Sequence, residues 1–344
     1  MKRFLAALII AVTVIFAAGC SSENNTIQEE PYKRELFALD TIIDFTIYNE
    51  KAEEISDLSE ARIKELEKLL SVTDENSEIS RINNSSEPVS VSRDTFNVMK
   101  IACEVNELSQ GSLDPTIYPI VKLWGFTTGE NRVPTSDEIS KTLPLVNASE
   151  IILDESNLTV AVPEGTEVDL GAVAKGYISQ EVKKMMKENG VESAVLSFGG
   201  NIQTIGSKNG ESWKIGVKYP FTQDSFIILH LGETAVITSA TDQRFFTQDG
   251  KQYHHIIDPS SGYPADNSTL SVTVICEDGA KADALSTALF VMGRERAEKF
   301  WKNNNDFEYI LLDDNSNVYV TSGLKDKMRL ADGYDFINLN YIEK

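Results

Sequence analysis

Two consecutive runs set the fold class: Leu270-Ser271-Val272-Thr273-Val274-Ile275-Cys276, then, after the turn-like Glu277-Asp278-Gly279, Ala282-Asp283-Ala284-Leu285-Ser286-Thr287-Ala288-Leu289-Phe290-Val291-Met292-Gly293. The first is short, apolar and rich in β-branched residues, as a buried strand is. The second has the helical period, because Leu285, Ala288, Leu289 and Met292 recur at i, i+3, i+4 and i+7 and make one apolar face. Asp283, Ser286 and Thr287 share a second face at i, i+3 and i+4. One carboxylate and two hydroxyls on the first turn of a helix are hard oxygen donors. They suit Mg2+, which takes few protein ligands and leaves the rest to water and phosphate. The same residues also serve a helix N-terminus with no ligand at all.

Upstream, Val168-Asp169-Leu170-Gly171-Ala172-Val173-Ala174-Lys175-Gly176-Tyr177 opens a helix running to about Asn189, with Ile178, Val182 and Met185 as its apolar stripe. Small residues at a helix start expose backbone N–H groups to an anion, and Lys175 adds a positive charge within a turn. The Walker spacing of glycines and lysine is absent, so this is not a P-loop. Ser193 to Ser197 is a strand that ends in Gly199-Gly200-Asn201, and a strand pattern resumes at Ile202. A dinucleotide fingerprint would need a helix there. Further strands are expected at Trp213–Lys218, Phe226–Leu231, Ala235–Thr238, Tyr253–Ile257, Tyr309–Leu312 and Val318–Thr321.

The N-terminal half adds a strand pair or one long bent strand over Arg34–Tyr48 and a helix over Lys51–Leu70 with Ile55, Leu58, Leu66 and Leu69 as its stripe. A second helix is capped by Ser92, with Phe96, Met99 and Cys103 inward and Gly111 as its stop. A short helix near Thr135–Lys141 and a hairpin of Ile151–Leu153 with Leu158–Val162 follow, and Arg294–Asn303 is a last helix before a polar tail of irregular structure. Alternation of strand and helix is not sustained, so the class is α+β: one large domain of mixed, largely antiparallel sheets with flanking helices and a cleft between two lobes.

The chain has 344 residues with a formal net charge of −21. That sign argues against nucleic acid as a partner. Three histidines and three well-separated cysteines give no zinc site. At the N-terminus, Lys2 and Arg3 precede an apolar run, Phe4 to Ala18, too short for a comfortable membrane span. It ends in Ala17-Ala18-Gly19-Cys20-Ser21-Ser22, similar to a bacterial lipobox. That likeness implies a signal peptide over 1–19, lipid on Cys20, a polar tether over 20–32 and an exported domain over 33–344, held at a membrane by its acyl chains. Cys103 and Cys276 are then the cysteines left to pair or stay free.

Taken in order, the segments resemble the ApbE family, the FAD:protein FMN transferases. The likeness runs from about Leu36 to Gly323 through Ser-Glu-Ile-Ser-Arg-Ile-Asn at 77–83, Asp-Pro-Thr at 114–116, Leu-Trp-Gly-Phe at 123–126 and the 168–177 stretch. It continues through Phe-Gly-Gly-Asn at 198–201, His-Ile-Ile-Asp-Pro at 255–259, Gly-Tyr-Pro at 262–264 and Ala-Asp-Ala-Leu-Ser-Thr at 282–287. The resemblance implies Mg2+ on Asp283, Thr287, the Ala172 carbonyl and Ser286, the last standing where some members carry a carboxylate. It implies FAD contacts from Asp114 with the backbone of Ser112 and Leu113, from Asp169, Lys175 and Ile257, and more loosely from Leu39 and Thr73. Leu39 and Asp40 replace the Met-Gly common in the family, and Ala240 replaces a Gly. His255 is the residue expected to handle protons, and Arg244 is a further contact.

The activity so implied is transfer of FMN from FAD to a threonine hydroxyl of an acceptor protein, a membrane electron-transfer subunit, with release of AMP. Two other readings use the same residues. Water in place of threonine makes the chain an FAD pyrophosphatase, and binding without turnover makes it a flavin-carrying surface lipoprotein.

Overall fold

A computed structural model of the chain describes residues 30–304 and 306–344. The signal peptide, Cys20 and all but the end of the tether lie outside the described residues. No helix among the described residues is long and apolar enough to cross a membrane.

The order begins with the hairpin β1 (Tyr32–Ala38) and β2 (Thr41–Ile47), then α1 (Ala52–Leu70), α2 (Glu78–Asn83), β3 (Val89–Ser90) and α3 (Arg93–Leu108). α4 (Tyr118–Trp124) and α5 (Ser136–Thr142) precede β4 (Ile152–Asp154) and β5 (Thr159–Ala161). α6 (Ala174–Glu188) leads into β6 (Ser193–Phe198), β7 (Asn201–Gly206), β8 (Trp213–Lys218), β9 (Ser225–Leu231) and β10 (Ala235–Ala240). Next come β11 (Phe245–Gln248), β12 (Lys251–His254), β13 (Ile257–Asp258), β14 (Tyr263–Pro264), β15 (Thr269–Cys276) and α7 (Gly279–Asn303). β16 (Phe307–Asp313), β17 (Asn317–Thr321), β18 (Met328–Leu330) and β19 (Asn338–Ile342) close the chain.

A nine-stranded sheet in the order β1-β2-β6-β7-β10-β15-β16-β17-β19 is the centre of the molecule. Its pairs are antiparallel except for β17 with β19, which is parallel. At the central strands both faces are buried, and strand alternation divides the side chains between two cores. From β15 and β16, Val272, Val274, Tyr309 and Leu311 enter the core under α1, α3, α6 and α7. Ile275, Ile310 and Leu312 enter the core under the three-stranded sheet β18-β9-β8. Burial on both sides is why Leu270–Cys276 reads as a continuous apolar run. A third, smaller core gathers around Trp124 with Ile120, Ile139 and Ile257, and it forms the second wall of the cleft. Residues Pro31 to Lys344 are one compact unit.

Several details depart from the periodic reading. On α1 the buried face is Ile55, Ile63, Leu66 and Leu70, while Leu58 is exposed; the small Ser56 and Ser59 let the helix sit close to its neighbours. On α6, Met186 and the stem of Lys183 are buried in place of Met185. That helix begins at Ala174, because the Asp169 carboxylate accepts the Gly171 N–H (2.7 Å) and holds the preceding residues in a turn. Cys103 is half-buried, and both it and Cys276 are free thiols. The strand expected over Tyr253–Ile257 breaks after His254, whose ring Nδ1 accepts the Ile256 N–H (3.3 Å). α7 is two helices joined across a kink at Gly293, whose φ of 66° suits a residue with no Cβ. The polar tail, expected to be irregular, supplies β18 and β19, the latter capping one edge of the main sheet.

Candidate active site

α6 and α7 cross at two glycines, and this contact organises the site. A Cβ on Gly176 would overlap the Gly279 carbonyl oxygen and lie 2.5 Å from Asp283 Cβ. The close approach has a second consequence. In a regular helix the Gly176 N–H would donate to the carbonyl of Ala172, four residues back. Here it donates to Asp283 Oδ2 at 2.8 Å, and no backbone N–H among the described residues reaches the Ala172 carbonyl. Asn201 Nδ2, just past the Gly199-Gly200 turn, donates to Asp283 Oδ1 at 3.2 Å. Asp283 is 5% exposed and makes no ion pair at salt-bridge distance among the described residues. Burial pushes its carboxyl up to about 6, while the Lys175 charge and these two hydrogen bonds pull the other way.

Asp283 and Lys175 line a cavity of about 630 Å³, a size usual for ligand sites. Its wall includes Asp283, Thr287, Ala172 and Lys175, together with Leu39, Thr73, Ser112, Leu113, Asp114, Asp169, Ile257, His255 and Arg244. Ser286 is not part of that wall. It is fully buried, its hydroxyl donates to the Asp283 carbonyl (2.8 Å), and it shares a hydrogen bond with Ser239 (2.8 Å). It braces the turn that carries Asp283.

The other members differ in how committed they are. Asp114 accepts from the Thr116 N–H (2.8 Å) and hydroxyl (2.5 Å), from the Ala148 N–H (3.2 Å) and from Asn106 (3.3 Å). Its carboxylate therefore fixes the loop whose Ser112 and Leu113 line the cavity. Burial holds the Asp169 carboxyl above its ordinary range, against the Gly171 N–H and the charge of Arg244. Leu39 and Asp40 form a tight turn with φ of 54° and 56°, and the Leu39 N–H is held by Glu67 (2.6 Å). Thr73 is tied to Ser71 (3.2 Å) at the end of α1. Thr127 Oγ1, also on the wall, is buried with no hydrogen-bond partner among the described residues.

His255 is half-buried, edge-on to Phe126, and its Nδ1 lies 3.1 Å from the Arg244 carbonyl oxygen. A carbonyl only accepts, so Nδ1 carries the proton and Nε2 keeps its lone pair. Desolvation lowers the imidazole's affinity for a second proton, to a pKa of about 3, with Arg244 and Lys175 adding repulsion and the Arg244 carbonyl opposing them. The ring is thus a neutral acceptor near pH 7.

Among the described residues no cluster of three or more His, Cys, Asp or Glu could hold a metal. The donor set near the α6–α7 crossing is different: one buried carboxylate, one hydroxyl and one carbonyl freed from its helix. Three oxygen donors beside open space fit a cation that completes its shell with water and phosphate. Asn201 and Gly176 are the contributors that residue-by-residue reading missed. Their signals were the Gly-Gly-Asn turn and the glycine after Lys175, both visible as patterns but carrying no role without the helix crossing.

A family model described as the ApbE family matches residues 39–311. A protein of Klebsiella pneumoniae (strain 342), named FAD:protein FMN transferase, is 36% identical over 282 residues, which are 80% of this chain and 88% of that protein. One of the same name from Vibrio cholerae (serotype O1) is 34% identical over 272 residues, 76% of this chain and 81% of that protein. The crystal structure of the ApbE protein from Thermotoga maritima MSB8 superposes with a TM-score of 0.78 at 33% identity, covering 90% of this chain and 99% of that one. The flavin transferase ApbE from Vibrio cholerae gives 0.77 at 30% identity, covering 87% and 99%. In fold, in the order of its motifs and along most of its length, the chain belongs to the ApbE family.

Proposed function

We propose that this chain transfers FMN from FAD to a threonine hydroxyl of an acceptor protein, with Mg2+, and releases AMP. The observation that carries this reading is the α6–α7 crossing. It leaves a buried carboxylate, and a backbone carbonyl to which no backbone N–H among the described residues donates, beside a cavity whose wall also carries the Thr287 hydroxyl. Asp283, Thr287 and the Ala172 carbonyl would hold the cation. When bound, Mg2+ offsets the charge that develops on the phosphoryl oxygens as the pyrophosphate is split.

The protein's own groups supply the rest. Lys175, at the start of α6, neutralises phosphate charge alongside the helix N-terminus. Asp114 holds the Ser112–Leu113 loop against the nucleotide. Asp169, Leu39, Thr73 and Ile257 enclose it. His255, neutral and with Nε2 unprotonated, accepts the proton of the attacking threonine hydroxyl as oxygen bonds to the FMN-side phosphorus. The bond from that phosphorus to the AMP-side oxygen breaks, and AMP leaves. Membrane electron-transfer subunits are the expected class of acceptor, and lipid on Cys20 would anchor the enzyme on the outer face of the membrane beside them. Recovery of the chain in the soluble fraction after Cys20→Ser, from the membrane fraction before it, is the expected outcome for the anchor.

The test is to incubate the purified chain with FAD, Mg2+ and an acceptor protein, then read intact masses and free nucleotides. An acceptor that gains FMN with matching AMP supports transfer. Free FMN and AMP with no adduct on any acceptor would favour hydrolysis, and FAD bound but unchanged would leave a carrier.

A further inference from the structure

Beside the cavity, the hairpin β11–β12 stands apart as its own two-stranded sheet. Its strands run straight into the site: Arg244 immediately precedes β11 and His255 immediately follows β12. The turn is the two-residue Asp249-Gly250, with φ of 53° and 77°. The register is unbroken from Phe245 opposite His254 to Gln248 opposite Lys251. The His255 N–H donates to the Arg244 carbonyl at 3.1 Å. Antiparallel bonding alternates, so Phe246 and Gln248 also face β12 with their backbone groups, while Phe245 and Thr247 turn theirs outward. Neither of those two makes a backbone hydrogen bond on that side among the described residues, and both residues are exposed.

An apolar shelf accompanies this open edge. Phe245 is 44% exposed and Phe221 54%, and their rings meet edge-on at 5.7 Å. Phe221 has a φ of 63°, a costly conformation for an aromatic residue, and the Asp242 carboxylate holds it there by accepting its N–H at 2.7 Å. Proteins ordinarily protect an exposed apolar strand edge. Here one is left open, next to a held aromatic ring, on the strand that ends at the cavity. The reaction needs a second, macromolecular substrate to bring an oxygen nucleophile to that place.

We propose that the outer edge of β11, with Phe221 and Phe245, docks an extended segment of the acceptor protein as an added strand. This rests on the transferase reading. The added strand takes its hydrogen bonds from Phe245 and Thr247. An apolar side chain of the segment sits on the two phenyl rings, and its hydroxyl-bearing residue lies further along, level with Arg244 at the cavity mouth. The acceptor site is therefore chosen by extended backbone and one neighbouring apolar residue more than by charge.

The experiment uses the full chain, FAD, Mg2+ and an acceptor protein, with the acceptor concentration varied. Thr247→Pro removes an outward N–H without breaking a hairpin bond, and Phe221→Asn removes the ring while keeping a residue at ease with positive φ. Each is expected to raise the acceptor KM by about tenfold or more, with FAD affinity by calorimetry and melting temperature unchanged. Wild-type acceptor KM in both variants would overturn the docking site and leave the transferase standing. No adduct from the wild-type chain on any acceptor would overturn both together. A variant with lowered melting temperature is set aside for the other, whose fold is the control.

Discussion

At the inner end of the cavity, Asp283, Gly176, Asn201 and the Ala172 carbonyl are held by two packed helices and a strand turn. At the mouth, Leu39 and Asp40 hold left-handed backbone in one tight turn, and Arg244 reaches Asp40 at 3.2 Å with both side chains largely in solvent. The inner end places few atoms with little freedom, which suits groups that must meet a cation and a phosphate. The mouth carries conformational strain and solvent-screened charge, which suits adjustment to a partner. A single cavity thus combines a rigid chemical end with an adaptable recognition end, and substitutions at the two ends should fail in different ways.

The largest effect is expected from Asp283→Asn. Transfer should fall by roughly 10²-fold or more, since the side chain no longer offers an anionic ligand. Folding without metal should be unharmed or improved near neutral pH, because burial disfavours the charge of the wild-type carboxylate. A melting curve and an adduct assay together check this; loss of both fold and activity would make Asp283 a structural residue. Next is Gly176→Ala, where the added methyl has no room against Gly279 and Asp283. Destabilisation of about 1–3 kcal/mol in urea is expected, together with lost transfer. A neutral result would mean that α6 and α7 separate easily and that the inner end is less rigid than described.

The pH dependence of stability separates His255 from its neighbours. Its native pKa is depressed to about 3, so between there and its unfolded value near 6.5 the unfolded chain binds a proton that the native chain refuses. His255 therefore costs stability as pH falls through that window. Asp283, raised to about 6, works the other way by taking up a proton in the native state first. His255→Asn should flatten the acid-side loss relative to wild type, and identical pH profiles would show that the ring is hydrated. The smallest effect belongs to the mouth. Asp40→Gly relieves a left-handed aspartate and breaks an exposed ion pair, so stability should move by no more than about 1 kcal/mol. Any change in turnover should appear in the KM for FAD or acceptor.

Much of this was legible in the chain. β15 and the first half of α7 follow from Leu270–Met292 alone, because local period and burial agree there. Gly293 separated two helical patterns, and the structure breaks the helix at that residue. Ser92 caps the helix it precedes. The cavity residues were legible only through motif order, since no local rule makes Leu39 a neighbour of Thr287. What stayed hidden is non-local. β19 pairs in parallel with β17 through backbone groups that polar residues such as Asn338 and Asn340 supply as well as any. The freed Ala172 carbonyl arises from a donor 107 residues away from its acceptor in sequence, Gly176 to Asp283.

The most direct test of the inner end is a Mg2+ titration of melting temperature at fixed, saturating FAD, on wild type and Asp283→Asn side by side. Mg2+ is expected to raise the wild-type melting temperature in a saturable way and to leave the variant unmoved. Equal shifts in the two proteins would contradict the assignment and place the cation elsewhere.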